Sequence, residues 1–437
     1  MKTKITLLFL FIGCSIVATA QTLELSGELR PRFEANYGFG TAPTEDDVAT
    51  FYVTQRSRIN AGLYFKNYSF YVSFQDIRVW GSDNVASNTG TNFSTGTSGI
   101  HQAWGEFKFS PKSNVRVGRQ VFSYDQQRLL SARNWNQAAL SYDAVRFHTQ
   151  VKDIQLDLAV SYNNDSDKGS NAGFGVDDFN MTRIEYRLRT LNFLHLKKDF
   201  SKTFSLSFLA MLTGYQKSDT CNVIYLMGTY GFYGAFRNEG LEAKFNAYYQ
   251  NGKSQKGLDV SAFMATAELK YHLNKGGAGI GGDYFSGNDV KKHSNSNKEH
   301  NFDLLYGTRR GFLGYLNQYT LIKKDTKGGG LIDIYPNVYL KVCDKGKLDI
   351  AYHLFYLANP VVDPLSESRY LDGSLGSEID ITYTHTFSKS IELSGGCCYY
   401  VRNETFDKIK YENPNNAENP YFGWIMLTFK PSWKISH

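Results

Sequence analysis

The sequence predicts an all-β protein, a transmembrane antiparallel β-barrel of about 18 strands with short periplasmic turns and long extracellular loops. Three observations carry this. Long stretches alternate apolar and charged residues with a period of two. The segments between them are alternately long and short from one end of the chain to the other. An N-terminal leader directs the chain out of the cytoplasm.

The leader is "MKTKITLLFLFIGCSIVATAQ": Lys2 and Lys4, an apolar run, then Ala18-Thr19-Ala20 before Gln21. It predicts a cleaved signal peptide over 1–20 and a single outer-membrane barrel domain over 21–437. Lipid attachment at Cys14 fits poorly, because Phe11-Ile12-Gly13 precedes it. No other apolar run is long enough for a membrane helix. With 30 Tyr, 31 Phe and only 9 Pro, the chain lacks the composition of a disordered one. No linker, composition break or internal repeat divides it.

The first strand is "LELSGELRPRFEAN" (23–36). Leu23, Leu25, Leu29, Pro31, Phe33 and Ala35 take one face, while Glu24, Glu28, Arg30, Arg32 and Glu34 take the other. The pattern recurs at 154–163, 183–189, 241–250, 347–356, 377–387 and 390–402, and a bulge near Asp76 restores it where it breaks. Short connections fall near Asn67 and at 110–112, 150–152, 198–202, 237–239, 273–277, 343–346 and 387–390. Long polar ones fall at 38–49, 81–99, 123–140, 164–180, 216–222, 251–257, 287–330, 358–375 and 403–419. Nine long and eight short connections imply eighteen strands, with both termini on the short-turn side. The last strand, 421–429, ends on an aromatic residue.

The apolar face then meets lipid, and closure is required because no backbone group can stay unpaired in hydrocarbon. The abundant Tyr and Phe suit interfacial girdles. A soluble β-sandwich would need an apolar inner face, and this one is too charged for a dry core. A barrel of this size leaves an aqueous lumen, where charge costs little.

Thirteen of the eighteen arginines precede residue 190. Parity turns Arg30, Arg32, Arg56, Arg58, Arg116, Arg146, Arg183, Arg187 and Arg189 inward, with Glu24, Glu28, Glu34, Glu106, Asp157, Glu185, Glu242, Glu378, Asp380 and Glu392. Lysines concentrate instead in turns and loops. Pairing across strands accounts for roughly half of these charges. The remaining arginines predict a wall that attracts anions, since the guanidinium fork suits carboxylates. The formal net charge is only +6, so that bias is local.

The stretch "VRVGRQVFSYDQQRLLSARNWNQAALSYDAVRF" (115–147) sharpens the expectation. Its loop carries Leu129, Leu130, Ala132, Trp135, Ala138 and Ala139, so it is predicted to pack inward and narrow the pore. The run "GRQ…Y…RLL…RNW…Q…YDAVR" resembles the alginate-export family of outer-membrane proteins. "FDLLYGTRRGFLGYLNQY" (302–319), "GIGGDYFSGND" (279–289) and "LGSEIDITY" (375–383) are similar to that family's other recurring pieces. The resemblance implies an eighteen-stranded monomeric barrel whose arginine-rich constriction passes a polyuronate outward. It carries Arg119, Arg128, Arg133, Asp143 and Arg146 onto the family motif, several of them near the constriction. Lumen residues outside the motif are not matched. A general channel for small anions and sugars, and a non-conducting surface-binding barrel, therefore stay open.

Other motifs carry less. Gly277, Gly279 and Gly282 satisfy G-x-G-x-x-G, but strand and loop follow where a dinucleotide site needs a helix. They read as small wall residues. His293 and His300 read as solvated loop residues, and Asp325 and Asp333 lack calcium-loop spacing. Cys221, Cys343, Cys397 and Cys398 show no metal spacing, and the last two, adjacent on a strand, face opposite ways. There is no G-x-S-x-G, and His148 and His353 face the lumen, so no enzyme, cofactor or metal is expected. Expected partners are outer-membrane lipid and lipopolysaccharide, an anionic polysaccharide or small anions, and a periplasmic export partner, with no nucleic acid.

Overall fold

A computed structural model describes residues 21–81, 97–163, 188–218, 221–289, 298–308, 310–411 and 416–436. The leader over 1–20, Arg183, Glu185, Arg187 and His293 lie outside the described residues.

Eighteen antiparallel strands close into a barrel. They are β1 (Thr22–Tyr37), β2 (Thr50–Tyr64), β3 (Tyr68–Val79), β4 (Thr97–Ser110), β5 (Ser113–Gln120) and β6 (Tyr142–Val151). Next come β7 (Ile154–Tyr162), β8 (Leu188–Asp199), β9 (Phe204–Ser218), β10 (Cys221–Asn238), β11 (Leu241–Lys253) and β12 (Asp259–Leu273). The circuit finishes with β13 (Gly276–Phe285), β14 (Leu331–Cys343), β15 (Gly346–Leu357), β16 (Ser374–Ser388), β17 (Ile391–Val401) and β18 (Tyr421–Phe429). β1 pairs with β2 on one side and with β18 on the other, through Glu34 opposite Trp424 and Leu29 opposite Phe429. No strand edge of the barrel is left open, as a spanning sheet requires.

The alternation of short and long connections follows the sequence spacing, with small adjustments. β9 and β10 run on through most of the expected loop at 216–222. β18 ends at Phe429 as expected, but the chain stays on the wall beyond it. Pro431 has no N–H to give the ladder; instead its carbonyl accepts from Gly27 N–H at 2.9 Å, and pairing with β1 resumes over Ser432–Ser436. The expected bulge near Asp76 falls at Ser73/Phe74, where β3 slips one residue against β4.

The outer face carries Leu25, Leu29, Phe33, Ile59, Phe70, Val117, Val145, Phe232 and Ile425, all exposed. So many bare apolar side chains in alternate register is the signature of a lipid-facing wall. Aromatic pairs mark its rims: Phe65 stacks on Tyr68 at a periplasmic turn, and Tyr37 on Tyr421 at the extracellular end.

The inner face differs from the uniformly wet wall that the sequence implies. Toward the extracellular end, wall residues Phe193, Met211, Tyr248, Met264, Phe355, Tyr400 and Trp424 belong to one buried cluster. The loop residues Phe122, Leu129, Leu130, Phe302, Leu313, Leu316 and Tyr319 complete it. Burying side chains of this size stabilises by about 1.5–3 kcal/mol each, enough to hold both loops inside the barrel. Charged wall residues of the extracellular half, among them Glu34, Asp283 and Glu378, are buried against the loops. A short helix, α1 (Ile322–Asp325), ends the second loop, and α2 (Glu404–Lys410) lies in the last one, capped by Asn403, whose side chain accepts from Phe406 N–H.

Candidate functional site

Four inward arginines on β1 and β2 catch the first loop, residues 121–141. Arg30 donates to Asn134 O at 2.7 Å, to Trp135 O at 3.2 Å and to the Gln137 side chain at 2.8 Å. Arg32 donates to Trp135 O at 2.8 Å and lies 4.2 Å over the Trp135 ring. Arg56, fully buried, reaches Asn136 O at 3.2 Å and Asn134 Oδ1 at 2.9 Å. Arg58 holds Gln75 Oε1 at 2.9 Å, and Gln75 donates in turn to Ala138 O. Two carboxylates answer these four cations: Glu28 on Arg56 at 2.5 Å and on Arg30 at 4.0 Å, and Glu34 on Arg32 at 2.9 Å. The remaining donors are satisfied by neutral carbonyl oxygens, so they are hydrogen-bonded without being neutralised.

The second inward loop, within 286–330, is caught by acids. Glu378 Oε1 accepts from Leu316 N–H at 2.7 Å, and Asp380 Oδ2 accepts from Tyr315 N–H at 3.0 Å. Gly314, at φ +74°, sits against the Glu378 carboxylate, where a side chain would collide. Cys398 lies beside this pair, its sulfur and their oxygens within 4.8 Å. The loop amides already occupy one oxygen of each carboxylate, so the group acts as an anchor. The two loops are also tied to each other and to the wall. Arg128 makes a bidentate pair with Asp283 at 2.5 and 2.9 Å, and its guanidinium lies 3.6 Å over the Phe312 ring. Arg133 donates to Leu305 O and Gly307 O at 2.8 and 3.1 Å.

Between the loops lies a cavity of about 350 Å³, lined by Arg133, Trp135, Asn136, Thr308, Arg310, Asn317, Thr320 and Leu321. Arg310 is stacked on Trp135 at 3.7 Å and Trp424 at 4.3 Å, with one donor on Tyr315 O at 2.7 Å. Its Nη2 makes no hydrogen bond among the described residues. Burial pushes this guanidinium down to about 10, so it stays cationic at neutral pH. Among the described residues neither Arg133 nor Arg310 forms an ion pair within 4.0 Å. Arg310 was not singled out from the sequence, although "TRRGFLGY" sets two arginines in an apolar loop.

The other expected site residues divide. Arg116 pairs with Glu106 at 2.7 Å and stacks on Trp104. Arg146 stands between Glu106 and Asp157 at 3.7 and 3.6 Å. Both face the lumen and are balanced by acids. Arg189 is buried at the start of β8 and donates to the Tyr162 hydroxyl at 3.0 Å. Arg119 and Asp143 correct the expectation that they line the pore. They are register partners that pair with each other at 2.7 Å, on the same face of β5 and β6 as exposed Val117 and Val145. With a period of two, inward Arg116 and outward Arg119 cannot share a face. Lysines, though frequent in turns and loops, also line the lumen: Lys244, Lys270 and Lys347 alternate inward with Glu242, Glu268 and Asp349.

Solved structures from Pseudomonas aeruginosa share this shape, among them the outer membrane protein opdK, with a TM-score of 0.59 at 8% identity, covering 94% of this chain and 99% of that one. OccK9 (OpdG) matches with a TM-score of 0.61 at 9% identity, covering 94% of this chain and 98% of that one. OccK11 (OpdR) matches with a TM-score of 0.58 at 12% identity, covering 94% and 96%. At such identities the likeness is one of fold. No curated protein sequence matches the chain. Residues 21–393 match the alginate export family. A closed barrel with lipid on one face, two loops folded into its lumen and this match together show that the chain belongs to the alginate export family, as a channel protein of the Gram-negative outer membrane.

Proposed function

We propose that the barrel conducts an anionic polysaccharide of the polyuronate type through a lumen biased to positive charge. One observation carries this reading. Arg58, Arg133 and Arg310 satisfy their donors on carbonyl and amide oxygens and form no ion pair within 4.0 Å among the described residues, which leaves their charge uncancelled. At physiological salt the screening length is about 8 Å, so such charge acts only on a solute inside the lumen. A carboxylate on every sugar of the solute would meet a succession of guanidiniums, none of which binds it tightly enough to stop it.

The proposed roles of Arg30, Arg32, Arg56, Arg128 and Arg133 are to hold the loops that set the bore. Arg58, Arg116 and Arg146 face the solute. Because closure satisfies every strand, the barrel is proposed to act as a monomer in contact with lipid and lipopolysaccharide, loaded by a periplasmic partner. Its chemistry is passage without bond making or breaking.

Single-channel current across a planar bilayer tests the reading. Reversal potential in a salt gradient is expected to favour anions, and added polyuronate to block the current. Open conductance without block would leave a general small-anion porin. No conductance would return the barrel to surface binding.

A further inference from the structure

The glycine-rich strand β13, "GGAGIGG", has an effect on the lumen wall that wall packing alone does not require. Gly277 faces inward between His272 on β12 and Tyr339 on β14, and Gly279 between Lys270 and Asn337. A Cβ at Gly277 would strike the Tyr339 ring, and one at Gly279 would strike the Lys270 side chain and crowd Asn337. One strand's width of wall is therefore cleared of side chains. Tyr339 lies into that gap, with its hydroxyl 2.8 Å from His272 Nδ1.

The cleared strip opens into a recess of about 450 Å³ at the periplasmic mouth, within the roughly 300–1,000 Å³ typical of ligand sites. Cations rim it: Arg237, Lys270, Lys341 and Lys347. Lys347 stands 4.8 Å over the Tyr339 ring, and Lys341 donates to the Asn274 carbonyl. The acids at the rim, Glu242 and Asp349, pair with Arg237 at 3.4 Å and Lys347 at 2.5 Å. The cations of these pairs are open to water, Arg237 70% and Lys347 50% exposed, while Glu242 is also held by Lys244. Exposed pairs are worth about 0–1 kcal/mol, so an incoming carboxylate can exchange for either partner.

We propose that this recess is a docking subsite for a carboxylated sugar: the pyranose lies on Tyr339 and its carboxylate is read by Lys341 and Lys347. It would receive the end of an anionic chain on the periplasmic side before the chain reaches the arginines. The proposal rests on the polyuronate reading above and adds where the polymer first binds.

The test uses purified full-length barrel and a fluorescent hexauronate. Equilibrium binding in detergent is measured beside current block in bilayers with the sugar on one face at a time. The variants are K341E/K347E and the milder K341Q/K347Q, with heat-modifiable mobility as the folding check. The expected result is about tenfold weaker binding for K341E/K347E and a smaller loss for K341Q/K347Q. The on-rate of block should fall from the periplasmic face, while block from the extracellular face persists. Equal binding by wild type and both variants overturns the docking subsite and leaves the polyuronate reading standing. Loss of block equally from both faces also overturns it, since the lysines would then act on the lumen as a whole. A wild-type barrel that neither binds nor is blocked overturns both.

Discussion

Arg56 and Asn134 are fastened twice, the guanidinium donating to the asparagine carbonyl at 3.3 Å and to its side-chain oxygen at 2.9 Å. One residue belongs to the barrel wall and the other to the loop that fills it. Hydrogen bonds from a charged donor contribute about 1.5–3 kcal/mol each. Arg56→Ala should therefore loosen the loop, which Arg30 and Arg32 still hold. Single-channel conductance should rise and its noise increase, while heat-modifiable mobility stays, because closure resides in the backbone ladder. Unaltered conductance and noise would show that the loop is held by its apolar contacts.

Arg128 and Asp283 form a deeply buried ion pair in the lumen, 4% and 0% exposed at the side chain. Removing one partner strands the other charge, at a cost of about 3–5 kcal/mol. Arg128→Ala and Asp283→Ala should each lower the urea midpoint in micelles. The apolar double variant R128M/D283L should lose less than either. A double variant as unstable as the two single losses added together would show that the residues do not act as a pair.

Arg58 and Arg119 test the strand register by their opposite faces. Arg58 faces the lumen and Arg119 the outside. Arg58→Glu should shift the reversal potential toward cations, and Arg119→Glu should leave it unmoved. A shift produced by Arg119→Glu alone would put the register in error.

Gly314 meets the Glu378 carboxylate with a left-handed backbone. Gly314→Ala adds about 1–2 kcal/mol of backbone strain and a steric clash. Hydrogen exchange at the Tyr315 and Leu316 amides, which donate to Asp380 and Glu378, should accelerate. Exchange as slow as in the wild type would mean that the carboxylates shift to accommodate the methyl group.

The barrel was legible because its instruction is local. Each strand announces itself by which neighbours are greasy, and each turn by its length. The inward folding of 121–141 was legible too, since Leu129, Leu130 and Trp135 have no reason to stand in water. The second inward loop was not. Its anchors, Glu378 and Asp380, read as ordinary lumen acids, because nothing beside them says that the amides of Tyr315 and Leu316 will come to meet them. Arg119 and Asp143 misled because the family motif groups them with true lumen residues, whereas parity alone sets Arg119 opposite Arg116.

Periodicity and spacing thus dictate the strand number, the closure, the lipid face and the side of the wall on which each charge stands, for these follow from alternation along one chain. Which charges remain uncancelled was decided only when the wall closed around its loops. Arg30 and Arg146 look alike in sequence. One satisfies its donors largely on carbonyls of Asn134 and Trp135, a hundred residues away, and shares Glu28 with Arg56; the other sits between two acids, Glu106 and Asp157. A guanidinium's effective charge depends on the partner across the lumen, and that partner is set by tertiary contact.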